Sequence, residues 1–278
     1  MAGFGTRCLP FTKTLPKCMI PIVNKPVIEY IIEEIYASGI EEVIFVLPKY
    51  CKSSIVKKQF KKNKIFSKFL LKKQLYELDK KINSINNLLK IKTIYTAKAN
   101  GTGGAVLSAK KYIKNQPFAV LNGDDLFFSQ KTVLKSLIEI YEQTGKDVLS
   151  VVEVPRESVV NYGVCECDEN YEVKKIIEKP NLNQTQSNLA LVGRYVLNSK
   201  FLDYLKKTKP EPSGEIYITK TMHEKAVDAN DVLCYKTNCV RMDCGNKLGV
   251  LKANVILGLE DEEIKEGLKD FLKKIIEN

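Results

Sequence analysis

The stretch AGFGTRCLPFTKTLPKCMIPIVNKP, residues 2–26, decides how the rest of the chain is read. Gly3 and Gly5 let the backbone turn tightly and offer bare N–H groups to a phosphate. Arg7, Lys13 and Lys17 follow, each able to answer a negative charge. Pro10, Pro16, Pro21 and Pro26 stiffen the segment and exclude one continuous helix across it. Neither the Walker loop nor the dinucleotide fingerprint is present. A rigid loop carrying fixed cations suits a nucleoside triphosphate better than a surface loop with incidental lysines does.

Working outward, Val27 to Ser38 reads as a helix stopped by Gly39, and Glu42 to Leu47 as a short, covered strand. A strand at Ile91 to Tyr95 precedes a second glycine loop, Asn100 to Ala105, which leads into a helix ending near Ile113. The strand Pro117 to Leu121 stops at Asn122-Gly-Asp-Asp125; helix Lys131 to Gln143 and strand Asp147 to Val154 follow. Strands alternating with helices, with glycine loops at strand ends, predict an α/β fold with a doubly wound, mostly parallel sheet. Beyond Pro155, short strands at Tyr162 to Cys167, Val173 to Glu178 and Leu189 to Val196 predict a smaller antiparallel lobe. Helices at Phe201 to Lys207 and near Ile218 to Ala226, a loop from Arg241 to Gly249 and a helical pair complete the chain. The expected organisation is one domain, 1–278: a nucleotide-binding half over 1–154, a second half over 155–250 and C-terminal helices over 251–278.

The formal net charge of +11 raises a nucleic-acid surface as a possibility. Yet Lys49 to Lys92 alone holds 14 lysines against Glu77 and Asp79, which exceeds the whole net charge. Leu71, Leu75, Leu78, Ile82, Ile85 and Leu89 recur there at helical spacing, predicting an amphipathic helix with a wet, lysine-rich face. A solvated face, with the stripe as a subunit contact in a homo-oligomer, explains this better than nucleic acid. The eight cysteines do not match paired zinc spacing and read as small, half-buried hydrophobes. No apolar run reaches the length of a membrane span and no signal peptide precedes the glycine loop, so the reading expects a cytoplasmic protein with no membrane partner.

Asp124 stands just past a buried strand, where open α/β sheets bind ligands, although a helix-capping aspartate would look the same. Asp243, in a later glycine-containing loop, is equally ambiguous alone. Together they could supply two hard oxygen ligands to Mg²⁺.

The run G-x-G-T-R-x-x-P-x-T-K-x-x-P-K-x-x-x-P-x-x-x-K-P closely resembles the nucleotide-binding signature of sugar-phosphate nucleotidyltransferases. Within them it looks most like the bacterial UTP–glucose-1-phosphate uridylyltransferases. Glu178-Lys179-Pro180, Asn161-Tyr-Gly-Val164, NLALVGRYVL (residues 188–197), Gly214-Glu215-Ile216 and DCGNKLG (residues 243–249) also match, so the resemblance spans essentially the whole chain. It implies UTP and glucose 1-phosphate as substrates, UDP-glucose and pyrophosphate as products, and Mg²⁺ held by Asp124 and Asp243. It implies Arg7 and Lys17 on the triphosphate, with Gly3, Phe4, Gly5 and Thr6 forming the cradle and Gly101 and Thr102 the second nucleotide loop. Lys179 would grip the sugar phosphate, with Glu178, Tyr162, Gly163 and Gly193 against the sugar.

Three departures from that family's pattern stand out. A buried strand ending in Val-Ala-Gly leads into the loop there, whereas this sequence begins at Met1-Ala2-Gly3, so the resemblance implies a fold short of its first strand. The family's base-reading glutamine falls on Thr96, which cannot mimic an amide's paired geometry and keeps dTTP or another nucleotide open as the alternative substrate. Lys220 takes the place of an aspartate.

Overall fold

A computed structural model describes residues 5–49, 55–96 and 100–277. Gly3, Phe4 and Cys51 lie outside the described residues, as does the segment in which an additional first strand would have to end.

The strands are β1 (Pro21–Ile22), β2 (Lys25–Pro26), β3 (Glu42–Pro48), β4 (Lys90–Thr96), β5 (Phe118–Leu121), β6 (Asp125–Phe128), β7 (Asp147–Glu153), β8 (Gly163–Cys167), β9 (Val173–Glu178), β10 (Leu189–Leu197), β11 (Val232–Lys236) and β12 (Val240–Asp243). The helices are α1 (Val27–Ala37), α2 (Ile55–Gln59), α3 (Lys64–Lys72), α4 (Tyr76–Asn83), α5 (Gly101–Ile113), α6 (Val133–Thr144), α7 (Phe201–Lys207), α8 (Ile218–Ala229), α9 (Lys247–Glu260) and α10 (Lys265–Ile276).

The central sheet runs β11-β7-β10-β8-β9, with β5 added on the other part of β10. Strands β5 and β7 both pair antiparallel with β10, and β11 lies parallel to β7, so β5, β7 and β11 share one direction. Strands β3 and β4 form a parallel ladder of their own from Glu42↔Lys90 to Pro48↔Thr96. A short ribbon pairs β6 with β12. Helices cover both faces. One core cluster gathers Ile28, Ile31, Ile32 and Ile35 of α1 with Leu134 and Leu137 of α6. The other gathers Val106 and Ala109 of α5 with Phe201 and Leu205 of α7 and Met222 of α8. This is the doubly wound α/β arrangement expected from the alternation of elements.

Local chemistry sets the boundaries that matter for the site. Helix α1 follows Pro26, which is extended, and buries positions 27, 28, 31, 32 and 35, a single apolar face. Helix α6 is capped by the Thr132 hydroxyl, which accepts from the Lys135 N–H, and stops at left-handed Gly145. Helix α9 is capped by Asn246, whose side-chain oxygen accepts from the Gly249 N–H at 2.9 Å.

Several expectations are corrected. The antiparallel strands do not form a sheet of their own, because β10 is inserted between β5 and β7 at the centre of the molecule. The second glycine loop is the opening turn of α5 itself, which begins at Gly101. The loop from Arg241 to Gly249 begins as strand β12, so Asp243 ends a strand. The lysine-rich insert is not one helix. Left-handed Gln74 (φ 60°) breaks it between α3 and α4, and a 3₁₀ turn follows at Ser84–Asn87. Leu71, Leu75, Leu78 and Ile82 stand exposed, Ile85 is buried, and Leu89 packs partly buried against the core.

Candidate active site

Two short strands bring the acidic groups together. Asp124 immediately precedes β6, and Asp243 ends β12, which pairs with β6 in the register Asp243↔Asp125. The Cys244 N–H donates to the Asp124 carbonyl at 2.7 Å and ties the two strand ends to each other. The Gly245 N–H donates to Asp243 Oδ1 at 2.8 Å.

The N-terminal loop supplies the compensating charge. Lys17 Nζ contacts Asp124 Oδ2 directly. Arg7, largely exposed, reaches to 3.8 Å of Asp243 Oδ2. Burial alone would raise the Asp124 carboxyl, but the Lys17 ammonium and its hydrogen bond hold it below the ordinary aspartate value. Its neighbour Asp125 goes the other way: burial pushes it up, against the pull of Arg241. Asp125 turns inward, where its Oδ1 accepts from Arg241 Nη2 at 2.6 Å. Asp124 and Asp125 therefore do different work, one facing the loop cations and one locked into the interior.

Glycine is required between the carboxylates. A Cβ at Gly245 would lie 2.5 Å from Asp124 Oδ2, 2.8 Å from Asp243 Oδ1 and 3.3 Å from Arg7 Nη2. The bare Gly245 keeps free the space that both carboxylates line. Two hard oxygen donors flanking such a space fit a divalent cation whose other positions are filled by phosphate and water.

Tyr162, Gly163, Glu178 and Lys179 meet across the β8–β9 ladder, where Gly163 stands opposite Glu178. The Lys179 N–H donates to the Tyr162 carbonyl at 2.8 Å. Lys179 itself is held at φ 47°, a strained conformation for a long side chain and one that clusters at functional sites. Its ammonium is 5.8 Å from the centre of the Tyr217 ring. Glu178 Oε2 accepts from the Thr219 hydroxyl at 2.8 Å. Gly193 is enclosed within β10 and leaves room for the side chain of Asn122, at the head of the Asp124 loop.

Segment 215–218 joins this group to the second glycine turn. The Ile216 N–H donates to the Asn100 carbonyl at 2.9 Å, and the Gly103 N–H to the Ile216 carbonyl at 2.8 Å. The Ile218 N–H donates to Thr102 Oγ1 at 3.2 Å. Gly101 combines a left-handed φ of 75° with a close approach, since a Cβ there would meet the Ile216 carbonyl at 2.7 Å. Thr96 ends β4 as the chain approaches this turn, and among the described residues its buried Oγ1 has no hydrogen-bond partner. Gly5 is left-handed, and its carbonyl accepts from the Thr12 hydroxyl at 2.8 Å, closing the first loop on itself.

The sequence reading passed over Arg194, Arg241, Thr219 and Gly245. The signal for Arg194 was available: a lone cation inside the apolar run from Leu189 to Leu197 must find a buried partner. Lys220, the departure from the family's aspartate, pairs with Glu211 at 2.9 Å. His223 lies away from the acidic pair, its Nδ1 accepting from the Ile176 N–H at 3.3 Å on β9.

Comparison with known proteins fits this architecture. The chain belongs to the nucleotidyltransferase family, whose description, Nucleotidyl transferase, matches residues 1–258. The particular branch is that of the UTP–glucose-1-phosphate uridylyltransferases. One such protein from Staphylococcus epidermidis is 37% identical over 99% of this chain and 96% of its own length. A second, from Staphylococcus saprophyticus, is 38% identical over 99% of this chain and 95% of its own. The UTP-bound UGPase of Acinetobacter baumannii superposes with a TM-score of 0.88 at 32% identity, covering 97% of this chain and 95% of that one. A UDP-glucose pyrophosphorylase complexed with UDP-glucose gives 0.82 at 32% identity, covering 93% and 96%.

Gly245→Ala provides the sharpest local test of this geometry. The added methyl should fill the space between Asp124 and Asp243 and weaken Mn²⁺ binding at least tenfold, with the melting temperature within a few degrees of the parent. Undiminished Mn²⁺ affinity in a titration would show that the two carboxylates do not share a cation.

Proposed function

We propose that the chain transfers the uridylyl group of UTP to glucose 1-phosphate, releasing pyrophosphate and forming UDP-glucose. The observation that carries this reading is the gathering of Arg7 and Lys17 onto the Asp124–Asp243 pair, with Gly245 keeping the space between the carboxylates clear.

The phosphate of glucose 1-phosphate is already an oxyanion at neutral pH, so the protein needs neither a nucleophile of its own nor a general base. One phosphate oxygen attacks the α-phosphorus of UTP in line. A new P–O bond forms as the bond to the bridging oxygen breaks, and that electron pair leaves with pyrophosphate. The protein must hold two anions together and offset their repulsion, a task of orientation and electrostatics. Arg7 and Lys17 take the triphosphate, with the backbone of Gly5 and Thr6 beside it. Lys179 takes the sugar phosphate. Glu178, oriented by the Thr219 hydroxyl, accepts from the sugar hydroxyls, with Tyr162 and Gly163 against the ring. Asp124 and Asp243 would hold Mg²⁺, which when bound draws charge from the phosphates. Gly101 and Thr102 lie on the nucleoside side with Thr96.

UTP and glucose 1-phosphate as substrates support a cytoplasmic setting for the enzyme. The exposed apolar side chains of Phe271, Ile275 and Ile276 on α10, with those of α3 and α4, fit a homo-oligomer.

Two variants test the assignment from opposite sides. Lys179→Ala should raise the KM for glucose 1-phosphate by about two orders of magnitude, with the KM for UTP within threefold; an equal loss on both substrates would move the lysine to the triphosphate. Thr96→Gln should sharpen the preference for UTP over dTTP, CTP and GTP, because the unpartnered hydroxyl of Thr96 gives way to an amide able to meet a base edge, where an unmatched group costs about 1–3 kcal/mol. The ratio of kcat/KM values reads this out. A parent enzyme that prefers dTTP would overturn the choice of nucleotide.

A further inference from the structure

Arg194 is wholly enclosed, and its Nη1 donates at 3.2 Å to the carbonyl of its neighbour Gly193. Its Nε donates to Glu34 Oε1 at 3.0 Å and its Nη2 to Glu34 Oε2 at 2.6 Å, a forked pair to helix α1. The same guanidinium donates through Nη2 to the Asp125 carbonyl at 3.0 Å and through Nη1 to the Asn122 carbonyl at 3.4 Å. Those two carbonyls bracket Asp124. The Phe127 ring closes the remaining face, 4.5 Å from the guanidinium carbon.

The strand is deformed where this side chain leaves it. Between Leu191 and Tyr195 the register of β10 against β7 shifts, so Gly193 and Arg194 fall within an irregularity. The Ser150 hydroxyl lies 2.9 Å from the Val192 carbonyl and 2.8 Å from that of Arg194, meeting backbone groups that the ladder leaves behind. A bulge of this kind re-aims a side chain, and here the bulged residue reaches the metal-side loop.

We infer that Arg194 is a positioning residue that sets the aim of Asp124, fixing the backbone on either side of it to helix α1 through Glu34. The inference rests on the assignment of Asp124 to a divalent cation. A buried ion pair is weak evidence for stability alone, since well-packed apolar residues often replace one without loss. What apolar residues cannot supply is a forked donor to two carbonyls, one two residues before a ligand and one immediately after it.

The test uses Arg194→Lys, which keeps the charge but loses the fork, and the double variant Glu34→Gln with Arg194→Met, which removes the pair at similar volume. In both, amide exchange at Asn122 and Cys244 should speed up at least tenfold while amides of α6 hold their rates. Mn²⁺ should bind about tenfold more weakly, and the KM for glucose 1-phosphate should stay within twofold. The exchange readout stands whether or not the parent proves to be a uridylyltransferase, so failure of that reading remains distinguishable. Uniform acceleration across the fold, unchanged exchange at Asn122 and Cys244, unchanged Mn²⁺ affinity, or failure of both variants to fold would each overturn the proposal.

Discussion

The structure depends on holding two carboxylates, Asp124 and Asp243, close together against their mutual repulsion. Strand pairing alone does not do it. The β6–β12 ribbon sets the register and the Cys244 N–H ties the strand ends, but the charge is offset from outside by Lys17 and Arg7 of the N-terminal loop. Beneath them a second layer of opposite charges, Arg241 with Asp125 and Arg194 with Glu34, holds the loop from the interior. Lys17 and Arg7 meet the carboxylates from the loop side, Arg7 largely exposed, whereas Arg241 and Arg194 pair within the interior.

That division links the two halves of the chain. Arg241 lies 5.6 Å from the centre of the Tyr162 ring while holding Asp125, so the residue leading into β8 and the Asp124 loop share one guanidinium. Segment 215–218 joins Lys179, through Tyr217, to the glycine turn of α5. The Asp124–Asp243 side and the Glu178–Lys179 side are thus braced by β10, by Arg241 and by this segment.

How much of this could be read in advance follows from the range of each interaction. The N-terminal loop was legible because its glycines, prolines and cations act locally, and α1, β3, β7 and α7 because their apolar periods are intact over their own lengths. Strands β6 and β12 were not, since each is four residues long and carries no usable period. Their pairing is long-range: Arg241 and Asp125, which meet across them, are 116 residues apart. The lysine-rich insert misled because its apolar spacing ran on through Gln74, where the backbone turns left-handed. Asp124 and Asp243 could each be suspected singly, but their sharing of one space with Gly245 appears only in three dimensions. Arg194 was visible as an anomaly in an apolar strand, and only its partners give it a purpose.

The central claim is that the chain joins two substrates directly, using fixed charge and no covalent link to the protein. Exchange of labelled pyrophosphate into UTP measures this most directly. The account predicts no exchange when glucose 1-phosphate and UDP-glucose are both withheld, and rapid exchange once UDP-glucose is supplied. Exchange at a comparable rate with UTP and pyrophosphate alone would require a uridylyl group carried on the protein, and would contradict it.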